Sequence, residues 1–148
     1  MANYIGLDKG MLVLATYNSS AAAGVTAFRC VKYSVSGSTT FVDLQTSASA
    51  GALSIGVVQD ALDQVDVATG KATANVRIGG ITKVYANTTP GAIAIGSKVM
   101  CGSAGGVILA ATSGSAVLGI CVGMSVPGGT VAAGDLIDVL LTPGLLVP

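Results

Sequence analysis

The chain contains no histidine, no tryptophan and, because all seven of its acidic residues are aspartates, no glutamate. Each absence closes off some chemistry. Without histidine, neither a Ser-His-Asp nor a Cys-His nucleophile can be assembled. Three cysteines without histidine also fall short of the four nitrogen or sulfur ligands of a structural zinc site, so no metal and no cofactor is expected. Glutamate is a good helix former and aspartate a residue of caps and turns, so the missing glutamate weighs against helices. Charge is scarce as well: 9% of 148 residues, seven basic against seven acidic, for a net charge of zero. Nucleic-acid binding draws on an excess of lysine and arginine to displace counterions from phosphates, and this chain has none.

What remains is apolar and rich in glycine. Hydrophobic residues make up 51% of the chain, and 21 glycines are spread so evenly that no long helix fits between them. Short alternating segments bounded by turn residues predict strands near residues 28–35, 41–45, 53–58, 72–78, 82–86, 98–101, 107–110, 117–124 and 136–141. The cleanest is 72–78, where Ala72, Ala74, Val76 and Ile78 alternate with Thr73, Asn75 and Arg77. The fold class is all-β, a small β-barrel or sandwich of short antiparallel strands over residues 27–148. Residues 1–26 read differently, as an N-terminal arm broken by Gly6, Gly10 and Gly24.

Within the body one unit occurs twice. Residues 55–78 are echoed sixty-three positions later by residues 118–141: Ile55-Gly56-Val57 falls on Leu118-Gly119-Ile120, and Ala74, Val76 and Ile78 fall on Ile137, Val139 and Leu141. A repeated strand–loop–strand unit accounts for this. The copies share packing residues and glycines, and carry almost no reactive groups.

The remaining polar features are weak as sites. Asp60, Asp63 and Asp66 form the one acidic cluster, but the twelve-position calcium loop with its terminal glutamate is missing, and a solvated loop or a two-turn helix between residues 58 and 70 explains them. Gly102-Ser103-Ala104-Gly105-Gly106 lacks the Lys-Ser/Thr of a phosphate-binding loop and reads as a hairpin turn. Residues 107–124 are uncharged and long enough to cross a bilayer. Thr112-Ser113-Gly114-Ser115 in their middle favours two buried strands and no membrane partner. Cys30, Cys101 and Cys121 fit either buried reduced residues or one disulfide with a free thiol.

Two features predict partners. The last strand carries Ile137, Val139 and Leu141 on one face, yet Leu136 and Leu140 flank Asp138 on the other, and a strand apolar on both faces is normally covered on both. Leu136 and Leu140 are therefore the candidate self-association residues. In the arm, Tyr4, Ile5 and Leu7 are sizeable apolar anchors that order against a partner surface. The competing expectation is that residues 11–14 begin an ordinary first strand.

Taken in order, Ile55-Gly56-Val57-Val58, Val76-Arg77-Ile78-Gly79-Gly80-Ile81, residues 92–99, Gly105-Gly106-Val107, Val117-Leu118-Gly119-Ile120 and residues 136–143 form a series. The series resembles the tailed-bacteriophage capsid decoration, or cement, proteins and covers residues 27 to 145. The resemblance implies a non-enzymatic virion protein, a homotrimer on the outer capsid surface, assembled in the bacterial host cytoplasm. It would bind the major capsid protein lattice, with the arm reaching over neighbouring shell subunits. The chain departs from the pattern in its long uncharged stretch, residues 99–134, and in its three cysteines. The alternative is a β-barrel that binds a small ligand or glycan. That would want aromatic residues in its mouth, and the chain offers only Phe28, Phe41 and four tyrosines.

Overall fold

The computed structural model describes residues 12–16, 26–36, 39–45, 54–63, 65, 73–88, 92–110, 114–124 and 130–146. They form ten strands: β1 (Leu12–Thr16), β2 (Cys30–Ser36), β3 (Thr39–Leu44), β4 (Gly56–Val58), β5 (Thr73–Arg77), β6 (Gly80–Tyr85), β7 (Lys98–Cys101), β8 (Val107–Leu109), β9 (Ala116–Met124) and β10 (Leu136–Leu146). The protein is all-β, as the composition requires. β1 to β5 make one antiparallel sheet and β6 to β10 another. The crossing from one to the other takes only Ile78 and Gly79.

The second sheet repeats the first strand for strand. From edge to edge the orders are β1-β5-β4-β2-β3 and β6-β10-β9-β7-β8, so every strand of the first half has its counterpart five strands later. Registers agree too. Val57 pairs with Arg77 and Val58 with Val76 in the first sheet, while Ile120 pairs with Leu140 and Cys121 with Val139 in the second. The connecting backbone follows suit. Phe28 N–H donates to Val58 O at 2.8 Å, and Gly96 N–H to Cys121 O at 2.8 Å; Val58 N–H donates to Arg29 O at 2.9 Å, and Cys121 N–H to Ser97 O at 2.9 Å. The repeat legible in 24 residues thus extends to all five strands of each half.

Gly56 and Gly119 show why the echo keeps its glycine. A β-carbon on Gly56 would press on the Arg77 carbonyl oxygen, and one on Gly119 on the Leu140 carbonyl oxygen and, at 2.6 Å, on Val139 Cγ1. Both glycines let a neighbouring strand approach at the same place.

Each half has an inner face of its own. Val31, Val42, Val58, Ala74 and Val76 fill the first, with Leu44, Ile55, Leu62 and Ile78 packed around them. Val84, Val99, Val107, Cys121, Ile137 and Val139 fill the second. Of the expected strand 53–58, the described residues place Gly56–Val58 in β4, and its side chains do not all face one core. β4 begins only at Gly56, so Ile55 packs with the first cluster, whereas Val57 and Cys30 point from the other face into the second. The halves are therefore stacked head to tail, the outer face of the first against the inner side of the second.

Polar contacts run along the same seam. Gln59 Nε2 donates to Thr82 Oγ1 at 3.0 Å and Arg77 Nη1 to Ile81 O at 2.7 Å. Tyr85 N–H donates to Phe28 O at 3.2 Å, and the Arg29 guanidinium lies 4.3 Å from the Tyr85 ring centre.

The uncharged run 107–124 falls on β8 and β9, and no helix among the described residues is long and apolar enough to cross a membrane. The glycine-rich segment 102–106 is the β7–β8 turn, with a single 3₁₀ turn at Ser103–Gly105. Residues 12–16 fall within the segment the sequence assigns to the arm. They form β1 and pair with β5 from Leu12↔Arg77 to Thr16↔Thr73.

Candidate interaction surface

β6, β10 and β9 present the second half's outer face. On β6 the core takes Thr82 and Val84, leaving Ile81, Lys83 and Tyr85 outward; on β10 it takes Ile137, Val139 and Leu141, leaving Leu136, Asp138 and Leu140. Register then sets these residues in rows. Leu140 stands between Ile81 and Ile120, Asp138 opposite Lys83, and Leu136 opposite Tyr85. A bulge opposite the Asp138–Val139 step sets Val122 beside them, exposed.

The two leucines expected at a self-association face are thus on one sheet face, both half-buried, with Asp138 between them. Asp138 is neutralised by Lys83, whose Nζ lies 3.1 Å from its Oδ1. A β-carbon on Gly123 would sit 2.8 Å from Asp138 Oδ2, so the glycine makes room for the carboxylate. Sequence reasoning missed Ile81, Ile120 and Val122. The signal was available, because Ile120 and Leu140 occupy the echoed positions of Val57 and Arg77, but facing is set by register and register by the fold.

Tyr4, Ile5 and Leu7 lie outside the described residues. The aspartates of the acidic cluster take separate local partners: Asp60 accepts from the Asn75 side-chain amide, and Asp63 from Val65 N–H at 2.9 Å, as a helix cap does. Asp66 lies outside the described residues. The three cysteines are free and buried. The Cys30 thiol is held well above its ordinary pKa, first by its hydrogen bond with Cys101 and then by burial; burial also raises Cys121. A raised thiol is a poor nucleophile at neutral pH, so the Cys30 and Cys121 sulfurs serve as packing atoms.

The described residues thus form a duplicated five-stranded sheet whose second copy carries a partly apolar outer face. Two comparisons, with protein-family models and with curated proteins, return no match. Among solved structures, the chain is similar to the N base of the head fiber protein gp8.5 of bacteriophage phi29. The TM-score is 0.62 at 17% identity, over 89% of this chain and 95% of that one. At that identity the likeness establishes a shared fold.

Proposed function

We propose that this protein is a structural, non-catalytic component of a tailed-phage head, seated on the outer capsid surface as a decoration or cement protein. The observation that carries the proposal is the fold shared, almost end to end, with the base of a phage head fiber. The ordered strand series that resembles decoration proteins supports it independently. The described core agrees with a structural role: Val57, Val84, Val99, Val107, Leu118 and Ile137 pack into one buried apolar cluster.

In this role the protein binds the major capsid protein lattice as a homotrimer. Tyr4, Ile5 and Leu7 grip neighbouring shell subunits, and Leu136 and Leu140 lie on the self-association face. Apolar burial contributes roughly 25 cal/mol per Å², so a modest contact repeated over a shell adds substantial resistance to internal pressure. Assembly takes place in the bacterial host cytoplasm, and the mature location is the virion.

Co-sedimentation of the purified protein with assembled heads lacking it tests the proposal. Saturable binding at a fixed ratio to the major capsid protein is expected. A protein that stays in the supernatant at every concentration overturns the role.

A further inference from the structure

Two of the three buried thiols belong to different halves and meet at the seam. Cys30 opens β2 of the first sheet and Cys101 closes β7 of the second, and both enter the second core. Their thiols hydrogen-bond each other. Backbone holds the contact from two sides. Gln45 N–H donates to Cys30 O at 3.0 Å, while Gln45 O stands 3.8 Å from Cys101 Sγ. Gly105, in the turn that follows Cys101, lies against the same Cys30 carbonyl: a β-carbon there would sit 3.2 Å from Cys30 O and 2.9 Å from Arg29 Cβ. Cys121 is engaged within its own strand, where its Sγ donates to Gly123 O at 3.5 Å.

We infer that Cys30 and Cys101 form a site of reversible oxidation, a latent disulfide that links the first sheet to the second. The oxidant is a low-molecular-weight disulfide. In the first exchange the Cys101 thiolate attacks it, forming a mixed disulfide and expelling one small thiolate. In the second the Cys30 thiolate attacks Cys101 Sγ and expels the other. One S–S bond and two protein S–H bonds are consumed, the Cys30–Cys101 bond forms, and the two protons leave on the two small thiols. Entry is through the β7–β8 turn. Ser103 and Ala104 are exposed there, and Ala104 is held in the left-handed region at φ 53°, so local opening of this hairpin brings Cys101 out first.

Closed and reduced, the pair is packing; oxidised, it is a staple across the seam. The bond closes a loop of about 70 residues, and the restriction it places on the unfolded chain grows with loop length. Reducing surroundings leave the thiols as they are, and oxidising ones join them. That this protein meets such a change when particles leave the cell rests on the head role proposed above; the bond itself does not.

The test equilibrates the intact protein with mixtures of reduced and oxidised glutathione, once folded and once unfolded in urea, followed by acid quenching and mass-spectrometric mapping. The folded protein should carry one internal bond, Cys30 to Cys101, with Cys121 left as a thiol. A bond that stabilises the fold is stabilised by it to the same degree. Half-oxidation should therefore fall at a glutathione ratio about 1,000-fold more reducing when the chain is folded. The urea midpoint should rise on oxidation in the wild type and in Cys121→Ala, and stay where it is in Cys30→Ala. Where an alanine variant fails to fold, the wild-type map and ratio decide alone. A bond to Cys121, a bond between chains, glutathione adducts in place of the internal bond, or a folded ratio no more reducing than the unfolded one would each overturn the inference. Failure to bind heads leaves the bond standing and removes the head role. Head binding by a protein that never forms the bond does the reverse.

Discussion

Gly56 and Gly119 occupy the same place in the two halves, and each would carry a β-carbon onto a backbone carbonyl of the adjoining strand. Backbone cannot step aside as a side chain can. Gly56→Ala and Gly119→Ala should each destabilise by about 1–3 kcal/mol, read as a lower urea midpoint. Gly96 is demanding for another reason: nothing lies within 4 Å of its missing β-carbon, but its φ is +88°. Its counterpart in the first half is Phe28, held at φ 65°. Replacing Phe28 by alanine and by glycine removes the ring in both cases, so their difference isolates the backbone. Phe28→Gly should be more stable than Phe28→Ala by about 1 kcal/mol, opposite to the usual order in a strand. Cys30 gives a pH signature. Its folded pKa lies above its unfolded value near 9.0, so its contribution is fully present below that value and is lost as pH rises from there through the folded pKa. Above about pH 9 the wild type should therefore lose stability faster than Cys30→Ala, measured by urea titration at each pH.

At the level of strands, alternation is a good guide where one face is core and the other polar. β5 shows this: Ala74 and Val76 are buried, Thr73 is exposed, and the strand falls within the expected 72–78. For residues 53–58 the strand was legible, as β4 at Gly56–Val58, but its facing was not, because β4 is apolar on both faces and its two sets of side chains enter different cores. The outer face of β10 was legible through Leu136, Asp138 and Leu140, which alternate with the core residues. Their neighbours were not, since Ile81 and Ile120 meet Leu140 only through a register spanning more than fifty residues on the β6 side. The Lys83–Asp138 pair across this face has both side chains well exposed, 53% and 39%. Asp138→Ala should therefore cost the isolated subunit no more than about 0.2–1 kcal/mol, and the loss should shrink as salt is raised.

For the whole molecule, the sequence echo marked only the β4–β5 and β9–β10 units. The other strand pairs kept their places in the sheet but not their residues: Cys30 stands opposite Val57 where Lys98 stands opposite Ile120. Topology outlasted sequence, which is why the full extent of the duplication needed coordinates. The arm is decided by truncation. Pairing to β5 begins at Leu12, so removing residues 2–10 spares the strand ladder, and the shortened protein should fold and self-associate normally while losing head binding. Full head binding by that truncation would remove Tyr4, Ile5 and Leu7 from the attachment. The two-residue link at Ile78 and Gly79 also orders events in time. Every strand of the first half is synthesised before β6, so the first sheet can close once β5 has cleared the ribosomal tunnel, while the last strands of its sister are still being translated at roughly 5–20 residues per second. For those seconds Cys30 and Val57 face solvent, and the nascent chain carries on its back the sticky surface that its own second half will later hide. A pause in translation late in the second half, after β5 has emerged and before β10 is complete, would lengthen that window and with it the chance that two unfinished chains meet there.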